Sequence, residues 1–371
     1  MPVTIIAEIG TSHNGSIAKA KELIDAARDA GSDAVKFQWV YAHEILHPKT
    51  GFVELPTGRI PLYERFKELE AGADFYAECG AYAHAKGLQF FCSPFGLTSF
   101  AELAALTPDA VKIASPELNH FPLLRAASRS PFPVILSSGV SQLCDIEKAL
   151  ALFSDKAENT QRITLLHCVT SYPAPESQYN VSLVSSLQKI FGVKTGTSDH
   201  SLDAVLVPAL TVFAGGTMLE KHITLSQDTD GLDDPVALTP KRFAHMCEQV
   251  RKAEAAYRDG GGVDDNGFCA ALDFLEKDYS PAIIAAAWGS GVKTLAPAEK
   301  ENYGRTNRSL HYMRSLKKGA RVTADDFAIL RTEKVLSAGL SPDYEALVTG
   351  AVLVRAVEDG EGVQLEDFIN M

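Results

Sequence analysis

The chain has 371 residues, 46% of them hydrophobic and 22% charged, with a formal net charge of −12. The length exceeds the roughly 250 residues of one large α/β barrel by about a hundred, and the ordinary apolar and charged fractions exclude intrinsic disorder. The acidic balance, with no basic run, excludes a nucleic-acid surface, although a local lysine cluster can still oppose the global sign and hold an anionic small molecule. Six scattered cysteines (Cys79, Cys92, Cys144, Cys168, Cys247 and Cys269) form no C-x-x-C pair, a pattern expected of reduced cytoplasmic thiols. Met1-Pro2-Val3-Thr4 leads into the first apolar run without a basic head, so no signal peptide is expected. The apolar stretch Ala282 to Trp288 is far shorter than the roughly 20 residues of a membrane span, and a soluble cytoplasmic protein without a membrane partner is expected.

Val3 to Ala7 reads as a buried strand, Thr11 to Gly15 as a turn and Ile17 to Ala30 as a helix. Ile17, Ala20, Ile24 and Ala27 share one helical face, and Gly31 can supply a left-handed C-terminal cap. Strand two, Ala34 to Gln38, follows at once, whereas the gap to strand three, Leu88 to Cys92, is long and carries Pro48, Gly51, Pro56, Gly58 and Pro61. An elaborated loop over one end of the barrel accounts for it. Strands four to eight recur at about the spacing of one βα unit. The eight apolar runs end at Glu8, at Lys36 and Gln38, at Ser93, at Lys112 and Ser115, at Ser137, at His167 and Cys168, at Ser198 to His200, and at Glu220 to His222. This is the plan of an α/β fold, a (β/α)8 TIM barrel over residues 1–258 whose strand ends converge on one pocket.

Residues 259–305 are expected to be a linker: Asp259 to Gly267 has flexible-linker composition, and Ala270 to Ala287 can form one or two helices. In the tail, Lys318 to Phe327 is echoed by Asp359 to Phe368, each a turn, a β residue and a short helix starting near Thr323 or Gln364. Residues 306–371 therefore read as a small β-rich domain with an internal repeat.

His200 and His222 end adjacent strands, and two imidazoles at one rim suit a divalent metal with open positions, able to act as a Lewis acid on a carbonyl. His167, beside Val169, is assigned a structural role. Lys36 and Lys112 follow buried-strand residues, where an unpaired ammonium is costly. With Ser115, Ser137 and Ser198 they offer charge and hydroxyls to a phosphate or carboxylate. Each serine alone would more often be a helix cap. Lys221 is expected in the barrel wall. Glu8, Glu117, Asp199 and Asp233 complete the rim; Glu8, between Ala7 and Ile9, is expected to move a proton, or else simply to pair with Lys36. No Walker A motif, G-x-G-x-x-G or nucleophile elbow is present.

Ala7-Glu8-Ile9-Gly10 with His13-Asn14-Gly15, Val35-Lys36-Phe37-Gln38, Phe91 to Phe95, Lys112 to Glu117, Ser137-Ser138-Gly139, Leu166 to Pro173, Ser198-Asp199-His200-Ser201 and Leu219 to His222 resemble the sialic acid synthase (N-acetylneuraminate synthase) family in order and spacing. Residues 306–371 resemble its SAF, or antifreeze-like, domain. The resemblance implies condensation of phosphoenolpyruvate with an open-chain 2-acetamido hexose such as N-acetylmannosamine, with phosphate leaving by C–O cleavage. It implies Mn²⁺ or Mg²⁺ on His200 and His222, and phosphoenolpyruvate on Lys36, Lys112, Ser115, Ser137, Thr170 and Ser198. It places the sugar on Gln38, Glu117, Tyr172, Asp233 and Arg331, assigns proton transfer to Glu8, and makes the active unit a domain-swapped homodimer. The chain departs from the family in carrying Arg331-Thr332-Glu333 where Arg-Pro-Gly is usual, Thr170 where some members have Asn, and a longer 260–297 stretch.

The substrate could equally be a diacetamido dideoxyhexose, making a legionaminic or pseudaminic acid synthase. A Schiff-base pyruvate aldolase using Lys112 or Lys36, and a sugar-binding protein without turnover, are the competing readings.

Overall fold

The computed structural model describes residues 2–55, 58–154, 161–229, 231–259 and 267–369. Eight strands, β1 (Thr4–Gly10), β2 (Ala34–Trp39), β3 (Gln89–Pro94), β4 (Ala110–Ile113), β5 (Val134–Ser137), β6 (Ile163–Cys168), β7 (Lys194–Asp199) and β8 (Met218–His222), pair in parallel. Their order β1-β8-β7-β6-β5-β4-β3-β2 closes a barrel. The helix Ile17–Ala30 begins where Ser16 accepts the Lys19 N–H and ends at Gly31, whose φ of 92° is the left-handed cap. The gap between β2 and β3 holds an antiparallel hairpin, Phe52–Leu55 with Gly58–Pro61, and the helices Leu62–Glu68 and Ala73–Ala85.

Alternation along the strands sorts side chains into two populations. Ile6, Ala34, Phe91, Ala110, Ile135 and Leu166 form an apolar plug inside the barrel. The intervening residues, Ile5, Ala7, Val35, Cys92, Val111, Val134 and Leu165 among them, belong to the larger core with the outer helices. One residue pair further along each strand, the same inward rows become polar, and the plug gives way to the site.

The stretch expected as a linker carries two helices, Gly267–Leu275 and Pro281–Trp288. Ala271, Leu275, Ile284 and Ala287 lie in the barrel's own core, and Phe274 packs on Phe213 at 5.5 Å between ring centroids. The apolar faces of these helices make them part of the barrel wall. The glycine-rich 260–266 run lies outside the described residues.

In the tail, Arg308–Tyr312 pairs antiparallel with Phe327–Arg331 over a small core of Leu310, Tyr312, Val322, Phe327, Val348, Leu353, Val357 and Val363. The internal repeat is physical. Asp326 caps the turn at Thr323 as Asp367 caps that at Gln364, and Arg314 and Arg355 pair with these two aspartates.

Four buried histidines outside the cavity, His13, His120, His167 and His311, are held below their ordinary pKa. Burial holds His13 at about 4 and His167 at about 3, with Lys19 and Lys293 adding to it; His311 lies at about 4 and His120 well below its ordinary value, again through burial. Between these values and the unfolded value near 6.5, the unfolded chain binds more protons. The stability they represent is therefore present above pH 6.5 and lost as pH falls towards 4, by roughly 2 kcal/mol per histidine at pH 4.5. The urea midpoint should fall between pH 7 and 4.5, less steeply in a His311→Gln variant. Identical slopes would contradict this assignment.

Candidate active site

The inward rows above the plug bring two lysines and two carboxylates together. Lys36 Nζ lies 2.8 Å from Glu8 Oε2 and 3.9 Å from Glu220 Oε1, and donates to Ser93 Oγ at 3.1 Å. Lys112 Nζ donates to Glu220 Oε2 at 2.6 Å, and Ser198 Oγ to Glu220 Oε1 at 2.9 Å. Gln38 Nε2 donates to Glu8 Oε1 at 2.8 Å. Burial works against the Lys36 ammonium, but Glu220 and Glu8 outweigh it and raise its pKa. Lys112 is pulled down by burial despite Glu220. Burial also opposes the Glu220 charge, yet Lys112 and Lys36 prevail and hold its carboxyl well below the usual range. Glu8 is thus both the partner of Lys36 and a wall of the pocket.

The hydroxyl wall lies across the cavity. Gly139 N–H donates to Ser115 Oγ at 3.0 Å. Ser137 Oγ and Thr170 Oγ1 are buried and, among the described residues, have no hydrogen-bond partner, although both residues line the cavity. Such groups are costly unless a ligand oxygen meets them.

His200 and His222 stand with ring centroids 5.6 Å apart. The Val169 carbonyl lies 3.0 Å from His200 Nδ1, which makes Nδ1 the donor and turns Nε2 towards the cavity. Burial would lower the pKa of His200, but the Cys168 sulfur at 3.7 Å and the Val169 carbonyl carry it to about 9, and Tyr172 Oη lies 3.2 Å from Nε2. His222 Nδ1 is buried without a hydrogen bond, 4.0 Å from Asp233 Oδ2. Burial lowers the pKa of His222 against Asp233 and Glu8. Among the described residues no three His, Cys, Asp or Glu side chains converge on one point. The two imidazoles, 5.6 Å apart between centroids and with His222 Nδ1 unbonded, are of a donor type that suits a divalent ion with open positions for water or substrate oxygen.

The cavity measures about 360 Å³ and is lined by Glu8, Lys36, Gln38, Lys112, Ser115, Ser137, Thr170, Tyr172, Ser198, His200, His222, Asp233 and Arg331. Two expectations need correction. Glu117 does not line it: its Oε1 accepts from Arg308 Nη2 at 3.0 Å and Arg331 Nη2 at 2.7 Å, because it sits past β4, where the tail docks. Asp199 leaves the rim: Ser198 and His200 take the inward positions, so Asp199 faces outward to Lys221 at 2.7 Å. Within the one chain, the tail domain lies at the mouth of the barrel, with Arg331 lining the cavity. Asn307 Nδ2 donates to the Val140 carbonyl and Asn119 Nδ2 to that of Arg308, so the chain enters the tail at the rim itself.

A NeuB family model matches residues 23–261, and a SAF domain model matches residues 307–369. The chain belongs to the NeuB family. This NeuB chain is 30% identical to the spore coat polysaccharide biosynthesis protein SpsE of Bacillus subtilis, over 99% of its own length and 94% of SpsE. The crystal structure of SpsE matches it with a TM-score of 0.82 at 29% identity, covering 100% of this chain and 96% of that one. It is 28% identical to the N,N'-diacetyllegionaminic acid synthase of Legionella pneumophila, over 97% of this chain and 93% of that protein.

Sequence reasoning missed Glu220 in the NeuB site, along with Asn302, Thr306 and Lys334, which also line the cavity. Glu220 was detectable: it lies two residues before His222 on one strand and so faces the same way. The other three lie beyond the barrel, and no strand periodicity points to them. His167 is structural, its Nε2 meeting the Tyr179 carbonyl.

Proposed function

We propose that this chain is a nonulosonic acid synthase, condensing phosphoenolpyruvate with the open-chain aldehyde of a 2-acetamido hexose and releasing phosphate by C–O cleavage. The observation that carries this reading is the convergence of two imidazoles, two buried lysines and a hydroxyl wall on one cavity. Similar proteins are named N,N'-diacetyllegionaminic acid synthase, pseudaminic acid synthase and N-acetylneuraminate-9-phosphate synthase, which supports an amino-sugar-derived acceptor. A divalent ion, Mn²⁺ or Mg²⁺, on His200 and His222 would polarise the aldehyde oxygen.

Lys36 and Lys112 oppose the charge of phosphoenolpyruvate, while Ser115, Ser137, Ser198 and Thr170 offer hydroxyls to its oxygens. Gln38, Tyr172, Asp233 and Arg331 face the sugar, and Glu117 acts behind Arg331 by orienting its guanidinium. C3 of phosphoenolpyruvate forms the new bond to the aldehyde carbon, and water adds at C2; one water proton passes through Glu8 to the aldehyde oxygen, which becomes the hydroxyl, and the C2 hydroxyl gives its other proton to phosphate as the C2–O bond breaks and the ketone forms. Holding both substrates in one cavity supplies the proximity this bimolecular step requires.

The test is phosphate release from phosphoenolpyruvate with Mn²⁺ across N-acetylmannosamine, its 6-phosphate and the diacetamido dideoxyhexoses. Release with at least one of them is expected, and release with none overturns the reading. Borohydride trapping with pyruvate separates out the Schiff-base aldolase, which would leave a covalent adduct on Lys112 or Lys36.

Within one chain Arg331 lines the cavity, which supports a site completed by the chain's own tail. Mixing a His200→Ala chain with a chain lacking residues 306–371 should therefore recover no turnover. Recovery would show that tails are exchanged.

A further inference from the structure

We infer that the connector between barrel and tail, residues 289–306, is part of the phosphate-binding wall, and that Glu299 is its positioning residue. The inference rests on the reading above in one respect, that Thr170 faces phosphoenolpyruvate. Glu299 is a carboxylate only 1% exposed, a costly placement unless it is bonded. Its Oε2 accepts the Thr170 N–H at 2.9 Å, and Asn302 Nδ2 donates to the Thr170 carbonyl at 3.0 Å. The connector thus grips Thr170 through both of its backbone polar groups. A third connector residue, Lys293, donates to the Ser138 carbonyl at 3.1 Å, one residue before Gly139.

These two gripped loops meet at the wall. A Cβ built on Gly139 would lie 2.1 Å from Thr170 Oγ1, so the threonine hydroxyl occupies the space that any side chain at 139 would need. That hydroxyl is buried and has no protein partner among the described residues. Its direction is set by the Thr170 backbone, and the Thr170 backbone is set by Glu299 and Asn302. Arg305 ties the far end of the connector to the tail, its guanidinium donating to the Glu333 carbonyl at 2.8 Å. One segment therefore runs from the phosphate wall to the strand end that carries Arg331. Glu299 touches no substrate in this arrangement; it acts by fixing the position of Thr170.

The experiment is direct calorimetric binding of phosphoenolpyruvate to the full-length protein, alongside steady-state kinetics. Glu299→Ala should weaken phosphoenolpyruvate about tenfold, the scale of one lost charge-assisted hydrogen bond, with the sugar KM and kcat within about twofold. Glu299→Gln, which keeps an acceptor oxygen, should recover most of the affinity. Thr170→Val should reproduce the loss. Combined with Glu299→Ala it should add little, because the two act through one hydroxyl. An unchanged Kd in Glu299→Ala, or a loss equal for sugar and phosphoenolpyruvate, overturns the positioning role. Wild-type protein that binds phosphoenolpyruvate yet releases no phosphate with any sugar overturns the proposed reaction while the Kd comparison still decides the role of Glu299. If Glu299→Ala does not fold, Glu299→Gln against Thr170→Val decides it: a Gln variant as weak as the Val variant contradicts the need for an acceptor.

Discussion

Replacing His200 or His222 with alanine should lower turnover by at least about 10³, the several kcal/mol of transition-state stabilisation that a Lewis acid supplies. With two imidazoles as the proposed donor set, whose rings stand 5.6 Å apart, losing either leaves a single protein ligand. Asp233 Oδ2 stands 4.0 Å from the buried, unbonded Nδ1 of His222. Chelation should silence the wild type, and Mn²⁺ should restore it. The alanine variants should still bind phosphoenolpyruvate, because Lys36, Lys112 and the hydroxyl wall are untouched. Full turnover in excess chelator would remove the metal from the account.

Glu8→Gln should lower kcat by about 10² to 10⁴, the scale of a lost general acid or base. The substitution preserves shape but leaves Lys36 with Glu220 at 3.9 Å as its remaining anionic neighbour, so one more positive charge faces the cavity. Breaking a buried ion pair by removing one partner costs about 3–5 kcal/mol, and the free protein should melt at lower temperature. Phosphoenolpyruvate should bind as tightly as in wild type or more so, and its binding should restore much of the lost melting temperature, since its charge replaces that of Glu8. A fall in kcat with intact phosphoenolpyruvate affinity marks a proton-transfer group. Loss of affinity with unchanged kcat would make Glu8 only the partner of Lys36.

The barrel was legible because its signal is local and repeated: eight apolar runs, each ending in a polar group, with Gly31 marking the end of the first helix. The same period-two alternation that seats Glu8, Lys36, Lys112 and His222 in the cavity also turns Asp199 and Lys221 outward. Reading alternation through each strand end, rather than the strand end alone, separates Glu220 from Asp199. Glu117 was out of reach of that rule because it lies past β4, where its partners Arg308 and Arg331 arrive from a remote domain. The connector was misjudged for a similar reason. Glu299 and Asn302 are held by contacts to Thr170 that have no sequence periodicity. Where the tail docks is likewise set by long-range pairs such as His47 with Asp359, which no local pattern announces.

The most direct measurement follows the bridging oxygen of phosphoenolpyruvate. With ¹⁸O placed between C2 and phosphorus, and with Mn²⁺ and a sugar that supports turnover, C–O cleavage predicts that the released inorganic phosphate retains the label in full. Label left in pyruvate or in the keto acid, with unlabelled phosphate, would mean P–O cleavage and contradict the condensation described here.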